Sequence, residues 1–339
     1  MRARSSARAG LWIALLVLSG IAIPVAQPPY AEATLPGGNG DIAYGIVDEI
    51  DSDEGIYFAG FYIGAVEPRS GRQHRIGPHI TGDGLDAIEP AFSPQGRFLA
   101  VEWDEAPWWG IVIIRPNGRP VRRLTHSHDR SPTWGPRGKT LAFDRRRCRE
   151  DECESLGIST IGTDGKNRRL VIGAGVDPAW SAKDEIAFVA NSRPWRFGLN
   201  QGPIRITDPH GSEIRPLTQG AAPDWSPRGD RLAFVRWRGE HSALFVINAD
   251  GTGLRRLQVV KRGLLKSPVW SPDGRRIAFL WGDELHTISP SGHGHRRIGL
   301  IKYDYEGALS RVDHLDWQPL PRLRCAVRGC PGPAGGLAR

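Results

Sequence analysis

A short motif returns along this chain at nearly constant intervals, and it restricts the fold more than any other feature. Ala91-Phe92-Ser93-Pro94-Gln95-Gly96 leads into Leu99-Ala100-Val101. Trp134-Gly135-Pro136-Arg137-Gly138 leads into Leu141-Ala142-Phe143, and Trp180-Ser181-Ala182-Lys183-Asp184 into Ile186-Ala187-Phe188. Trp225-Ser226-Pro227-Arg228-Gly229 leads into Leu232-Ala233-Phe234, and Trp270-Ser271-Pro272-Asp273-Gly274 into Ile277-Ala278-Phe279. The aromatic anchors stand at 92, 134, 180, 225, 270 and 317, so the period is about 45 residues, within the range of propeller blades.

Each unit reads as four strands, here called A to D. The anchor ends strand A, the Pro/Gly pair makes a tight turn, and the L/I-A-F run is strand B with alternate side chains on opposite faces. A second hairpin turns at Ser70-Gly71, Asn117-Gly118, Asp164-Gly165, His210-Gly211, Asp250-Gly251 and Ser291-Gly292. Such dipeptides favour tight hairpins because their central residues reach positive φ. Strand D often ends on a basic-basic-apolar run: Arg122-Arg123-Leu124, Arg168-Arg169-Leu170, Arg255-Arg256-Leu257 and Arg296-Arg297-Ile298. With Gly at 42 and Pro at 27, turns dominate and long helices are not expected. The fold class expected is all-β: a six-bladed β-propeller of four-stranded antiparallel blades, spanning 34–320. Strand A at Leu315-Asp316-Trp317 would close the first blade, whose strand B begins at Ile42-Ala43-Tyr44.

Val269-Trp270-Ser271-Pro272-Asp273-Gly274-Arg275-Arg276-Ile277-Ala278-Phe279 and Val246-Ile247-Asn248-Ala249-Asp250-Gly251-Thr252-Gly253 resemble the repeat of TolB-like propellers, a WD40-like repeat family. The resemblance covers about residues 40–320. It implies the fold strongly and the function weakly, because such propellers serve as periplasmic adaptors, peptidase gating domains and polysaccharide lyases. The α/β domain that precedes the propeller in the family's namesake has no counterpart here, which puts membership of the same envelope system in doubt.

Residues 1–33 read as a secretory signal peptide. Arg2, Arg4 and Arg8 precede an apolar run from Leu11 to Ala26, and Ala31-Glu32-Ala33 fits a cleavage site. An uncleaved anchor is the rival, although the run is short for a span. Cleavage removes three Arg and one Glu, taking the net charge from +8 to +6. An extracytoplasmic location follows, secreted or periplasmic, with no stable membrane span. Cys148 with Cys153 and Cys325 with Cys330 each bracket four residues, which in an exported protein reads as two disulfides, with zinc as the rival. Residues 321–339 read as a Pro/Gly/Arg-rich tail.

Function is expected on the face of the irregular B–C and D–A loops. Binding candidates there are Trp108, Trp109, Arg145, Arg146, Arg147, Trp195, Arg196, Trp237 and Arg238, since Trp and Arg dominate interface hot spots. For the arginine run, a solvated loop is the competing reading. Asp86, Asp129, Asp177, Asp224 and Asp313 recur near strand A and are candidates for an acidic channel mouth, with turn capping as the alternative. No nucleophile elbow, zinc helix or phosphate loop is present. No catalytic residue, metal or cofactor is therefore assigned. The reading is an exported, non-catalytic scaffold that binds a protein or peptide, or a glycan, and not nucleic acid. The alternative is a propeller lyase or hydrolase with a His/Asp site at the channel mouth.

Overall fold

The computed structural model describes residues 38–52, 55–76, 87–105, 108–149, 152–190, 193–194, 200–301 and 311–320. Strands are the only regular elements among the described residues, and every pairing between them is antiparallel. The expected signal peptide and tail, with Cys325 and Cys330, lie outside the described residues, as do Asp86, Trp195 and Arg196.

β1 (Gly38–Ser52), β2 (Gly55–Val66) and β3 (Gln73–Ile76) begin the first sheet. β4 (Ala87–Phe92), β5 (Leu99–Glu105), β6 (Trp108–Ile114) and β7 (Pro120–Arg123) make the second. β8 (Arg130–Trp134), β9 (Thr140–Arg149), β10 (Glu152–Gly162) and β11 (Arg169–Ile172) make the third. A larger sheet follows: β12 (Val176–Trp180), β13 (Ile186–Val189), β14 (Arg193–Pro194), β15 (Asn200–Thr207), β16 (Ile214–Trp225), β17 (Arg231–Arg238), β18 (His241–Asn248) and β19 (Arg255–Val260). β16 joins its two halves, pairing β15 through Ile214–Gly220 and β17 through Ala221–Trp225. β20 (Leu265–Trp270), β21 (Ile277–Trp281), β22 (Glu284–Ile288) and β23 (Arg296–Leu300) form the last of the four-stranded sheets built from consecutive strands. β24 (Arg311–Leu320) then returns to pair β1, giving the order β24-β1-β2-β3. The strands that end on the anchors touch in a closed ring, β24–β4–β8–β12–β16–β20–β24. This is an all-β fold of the propeller class.

The core lies between neighbouring sheets. Phe143, Phe188, Phe234 and Phe279 are at most 1% exposed, and Trp225 and Trp270 are equally buried. Each aromatic ring removes roughly 150–250 Å² from water, worth about 4 kcal/mol or more of gross transfer free energy. The anchors also join the sheets through polar bonds that alternate over five of the six junctions. Trp134 Nε1 donates to Ala91 O at 2.9 Å and Trp225 Nε1 to Ala179 O at 3.1 Å. At the junctions between those, the residue before the anchor accepts from the next anchor's backbone N–H. Asp316 accepts from Phe92, Thr133 from Trp180 at 3.2 Å, and Asp224 from Trp270 at 2.7 Å.

The outer rim has its own linkage, and it accounts for the recurring basics of strand D. Arg122, Arg169, Arg215, Arg255 and Arg296 each donate to a backbone carbonyl in the second hairpin turn of the following unit. The acceptors are Asp164, Pro209, Ala249, Ser291 and Arg69 respectively. A guanidinium reaches across such a gap on an apolar stem and carries several donors.

Candidate functional site

The ring of anchor strands encloses a cavity of about 160 Å³. Six residues on its wall share one backbone conformation: Glu89, Ser131, Asp177, Ala222, Ser267 and His314, with φ between 47° and 53°. Each stands three residues before its anchor and sits at a register shift, where one extra residue is inserted opposite the partner strand. Non-glycine residues in this left-handed region cost of order 1–3 kcal/mol each, and such strain collects at functional sites. Five of the six precede proline, at 90, 132, 178, 223 and 268. Proline lacks the N–H that an open strand edge would present, so it suits an innermost edge and its bulge.

The six units can be compared with each other, because the same pairing recurs in all. Opposite the residue four before each anchor stand Gly45, Glu102, Asp144, Val189, Val235 and Leu280. Three units carry aliphatic residues there, and two carry buried carboxylates. Arg130 pairs with Glu102 at 2.9 Å. Arg146 pairs with Asp144 at 2.9 Å, and Ser155 donates to the other Asp144 oxygen at 2.8 Å. Burial pushes Asp144 up to about 6 against both partners. On the cavity wall, His314 Nε2 lies 3.4 Å from Glu89 Oε1, and Asn200 donates to Asp177 at 3.3 Å. Burial alone would raise Glu89, but His314, Arg130, the Ser131 N–H and Arg146 together hold it below the usual carboxylate range. Asp177 is raised, by burial first, against the pull of His314. Carboxylates therefore cluster at Glu89, Glu102, Asp144 and Asp177, while Val235 and Leu280 stand at the matching positions of two other units, where Lys266, opposite Leu280, donates to Val312 O at 3.1 Å. Also on the cavity wall, burial drives Asp224 to about 8 and Asp316 to about 7.

Of the five aspartates singled out from sequence, the four that are described occupy different places. Asp177 and Asp224 line the cavity. Asp129 is fully buried elsewhere, held by Arg168 at 3.0 Å and by Ser127 at 2.8 Å. Asp313 is opposite Gly45 in β24, with its side chain outside the described residues. Measured from the anchors these aspartates stand at different repeat positions, so they cannot form one ring. Alignment on the anchors would have picked out Glu89 and His314 as equivalents of Asp177, and Asp316 as the equivalent of Asp224.

Among the aromatic and basic candidates, Trp109 is 38% exposed and stacks on His128 with ring centroids 4.7 Å apart. Trp108 begins β6, with its side chain outside the described residues. Arg145 is half-buried, Arg146 is committed to Asp144, and Arg147 pairs with Glu154 on the surface. Arg238 is exposed. Trp237, expected in a binding loop, is instead a core residue at 5% exposure, its indole N–H donating to Leu265 O at 2.9 Å. It continues the inward phase of Leu244's partner Val235 along β17, which sequence periodicity alone left open. Cys148 and Cys153 stand opposite each other in the β9–β10 register. Among the described residues no group of three or more His, Cys, Asp or Glu could hold a metal, and no helix is long and apolar enough to cross a membrane.

No family model matches the chain. An uncharacterised protein of Agrobacterium fabrum, Atu1656, is 25% identical over 210 residues, which cover 56% of this chain and 67% of that protein. The Tol-Pal system protein TolB of Syntrophus aciditrophicus is 38% identical over 76 residues, 20% of this chain and only 17% of TolB. Among solved structures, TolB from Acinetobacter baumannii superposes with a TM-score of 0.60 at 17% identity, over 83% of this chain and 67% of that one. The structural likeness is to TolB-like propellers, and at that identity it concerns the fold alone.

Proposed function

We propose that this chain is an exported six-bladed propeller of the TolB-like type that binds a protein or peptide segment at the mouth of its central cavity. The six-blade reading takes β16 as the outermost strand of one blade and the innermost strand of the next. It is supported by six equivalent bulges and by the ring of anchor strands. The observation that carries the function is the cluster of carboxylates at Glu89, Glu102, Asp144 and Asp177. Carboxylates at 102 and 144 replace aliphatic residues used at the same position in three other units. Arg130 and Arg146 pair these carboxylates, but even a well-paired buried ion pair is often no more stabilising than apolar side chains of similar volume, so stability alone gives a repeat little reason to keep them. Trp109, Arg145, Arg147 and Arg238 are proposed as outer contacts of the partner, and Glu89, Asp177 and His314 as inner ones. Signal-directed export, two disulfides and a loose tail complete the reading.

The test is capture of partners from the native envelope by residues 34–339, beside Trp109→Ala and Asp177→Asn variants. A partner held by the wild type and lost by both variants supports the scaffold. Equal capture by all three refutes this site. An enzyme is the second reading, favoured by the contact between His314 and Glu89. Turnover of a polysaccharide or peptide by the wild type, abolished in His314→Gln, would establish it.

A further inference from the structure

The hairpin over residues 245–257 and the one over 286–298 align without a gap, forty-one residues apart. The first reads Phe-Val-Ile-Asn-Ala-Asp-Gly-Thr-Gly-Leu-Arg-Arg-Leu, the second His-Thr-Ile-Ser-Pro-Ser-Gly-His-Gly-His-Arg-Arg-Ile. Phe245 becomes His286 and Leu254 becomes His295. Packing explains the ring at the first position: Phe245 stacks on Phe234 at 5.5 Å and 13°, and His286 stacks on Phe279 at 5.6 Å and 17°. Packing does not explain the nitrogens. His286 is only 3% exposed, and both of its ring nitrogens are engaged. Nε2 lies 3.2 Å from Glu284 Oε2, and the other Glu284 oxygen takes Arg297 Nε at 2.8 Å. Nδ1 lies 3.0 Å from His295 Nε2.

Those bonds fix the tautomer. A carboxylate only accepts, so His286 carries its hydrogen on Nε2 and leaves the Nδ1 lone pair facing His295. This is how a carboxylate prepares an imidazole to bind a metal. Two imidazoles bound to one tetrahedral ion at 2.0–2.1 Å place their nitrogens about 3.3 Å apart. The observed 3.0 Å separation needs only a small opening, and His295 is exposed, so its ring can swing outward.

We propose that His286 Nδ1 and His295 Nε2 form a two-imidazole site for a divalent first-row transition ion, entered from the solvent side of β22 and β23. Among the described residues no third protein donor completes a group of three, so water fills the remaining positions and affinity is moderate. Cu²⁺ binds more tightly than Zn²⁺ at such a nitrogen site.

The experiment is calorimetric titration of the full chain with Cu²⁺ and with Zn²⁺, together with electron paramagnetic resonance of the Cu²⁺ form. The expected result is one site with two-nitrogen hyperfine structure. His295→Leu and His286→Phe, which restore the residues of the neighbouring hairpin and so keep the packing, weaken it at least tenfold. His293→Ala, in the same turn, binds as the wild type. Absence of uptake by the wild type, wild-type binding by His295→Leu, or an equal loss in His293→Ala overturns the proposal.

Discussion

Asp224 accepts the backbone N–H of Trp270 at 2.7 Å and so ties one sheet to the next from inside the cavity. Its carboxyl is pushed up to about 8, mainly because burial disfavours the charged form, with Asp316 opposing ionisation further. Folded protein therefore holds a proton here that unfolded protein, with an ordinary Asp value of 3.8, has already lost. Stability rises with pH only where the unfolded state binds more protons. Here the folded state binds more, so stability falls as pH rises from about 4 to about 8. Thermal unfolding at pH 5 and pH 8 is expected to show the lower melting point at pH 8, and Asp224→Asn is expected to shrink the difference. A difference unchanged in Asp224→Asn would locate the effect elsewhere.

Glu102, 4% exposed, pairs between sheets with Arg130, 36% exposed, at a position where three other units are aliphatic. Removing Arg130 strands the buried carboxylate, which typically costs about 3–5 kcal/mol. Arg130→Met alone is expected to destabilise strongly, and Glu102→Val alone less, because water can reach the guanidinium left behind. Glu102→Val with Arg130→Met is expected to recover most of the loss while losing the captured partner. Chemical denaturation of the double-mutant cycle measures both effects, and additive losses would deny the coupling.

Ala222 adopts φ 47°. An Ala-to-Gly change in regular structure costs roughly 0.5–1 kcal/mol, but a left-handed alanine carries about 1–2 kcal/mol of steric cost. Ala222→Gly is therefore expected to be neutral or to stabilise by up to about 1 kcal/mol in urea titration. A clear loss of stability would show that the methyl contributes packing that outweighs the strain.

Arg215 donates to Ala249 O at 2.7 Å and to Glu185 at 2.8 Å on the rim. Its removal leaves exposed groups that water can serve, so Arg215→Ala is expected to cost only about 1 kcal/mol. Differential scanning calorimetry would read this as a melting-point drop of roughly 2–4 °C.

The fold was legible because each unit repeats its anchor, turn and strand chemistry in register, and local propensity agrees with pairing. Phe234, Phe279 and Trp270 are buried as their spacing predicts. The shared strand β16 was less visible, because nothing in Gln219-Gly220-Ala221 marks where pairing passes from β15 to β17. The site was harder to read. Asp129 and Asp177 look alike in sequence, yet one lies in a closed pocket beside Arg168 and the other on the cavity wall. What separates them is position relative to the anchor, set by the bulge. Likewise Trp237 and Trp109 both lie in strands, yet Trp237 near the end of β17 is covered while Trp109 near the start of β6 is 38% exposed.

The pairing of β24 with β1 sets an order on biogenesis. Ile42 and Trp317 are register partners, although most of the chain lies between them. During synthesis β1 must wait, one side unpaired, until the final strand has left the ribosome. A long wait of this kind exposes a sticky edge to other nascent chains. Premature chain termination before residue 311 should therefore yield aggregates rather than a smaller soluble protein, and holdase chaperones should be recovered most strongly on the truncated chains.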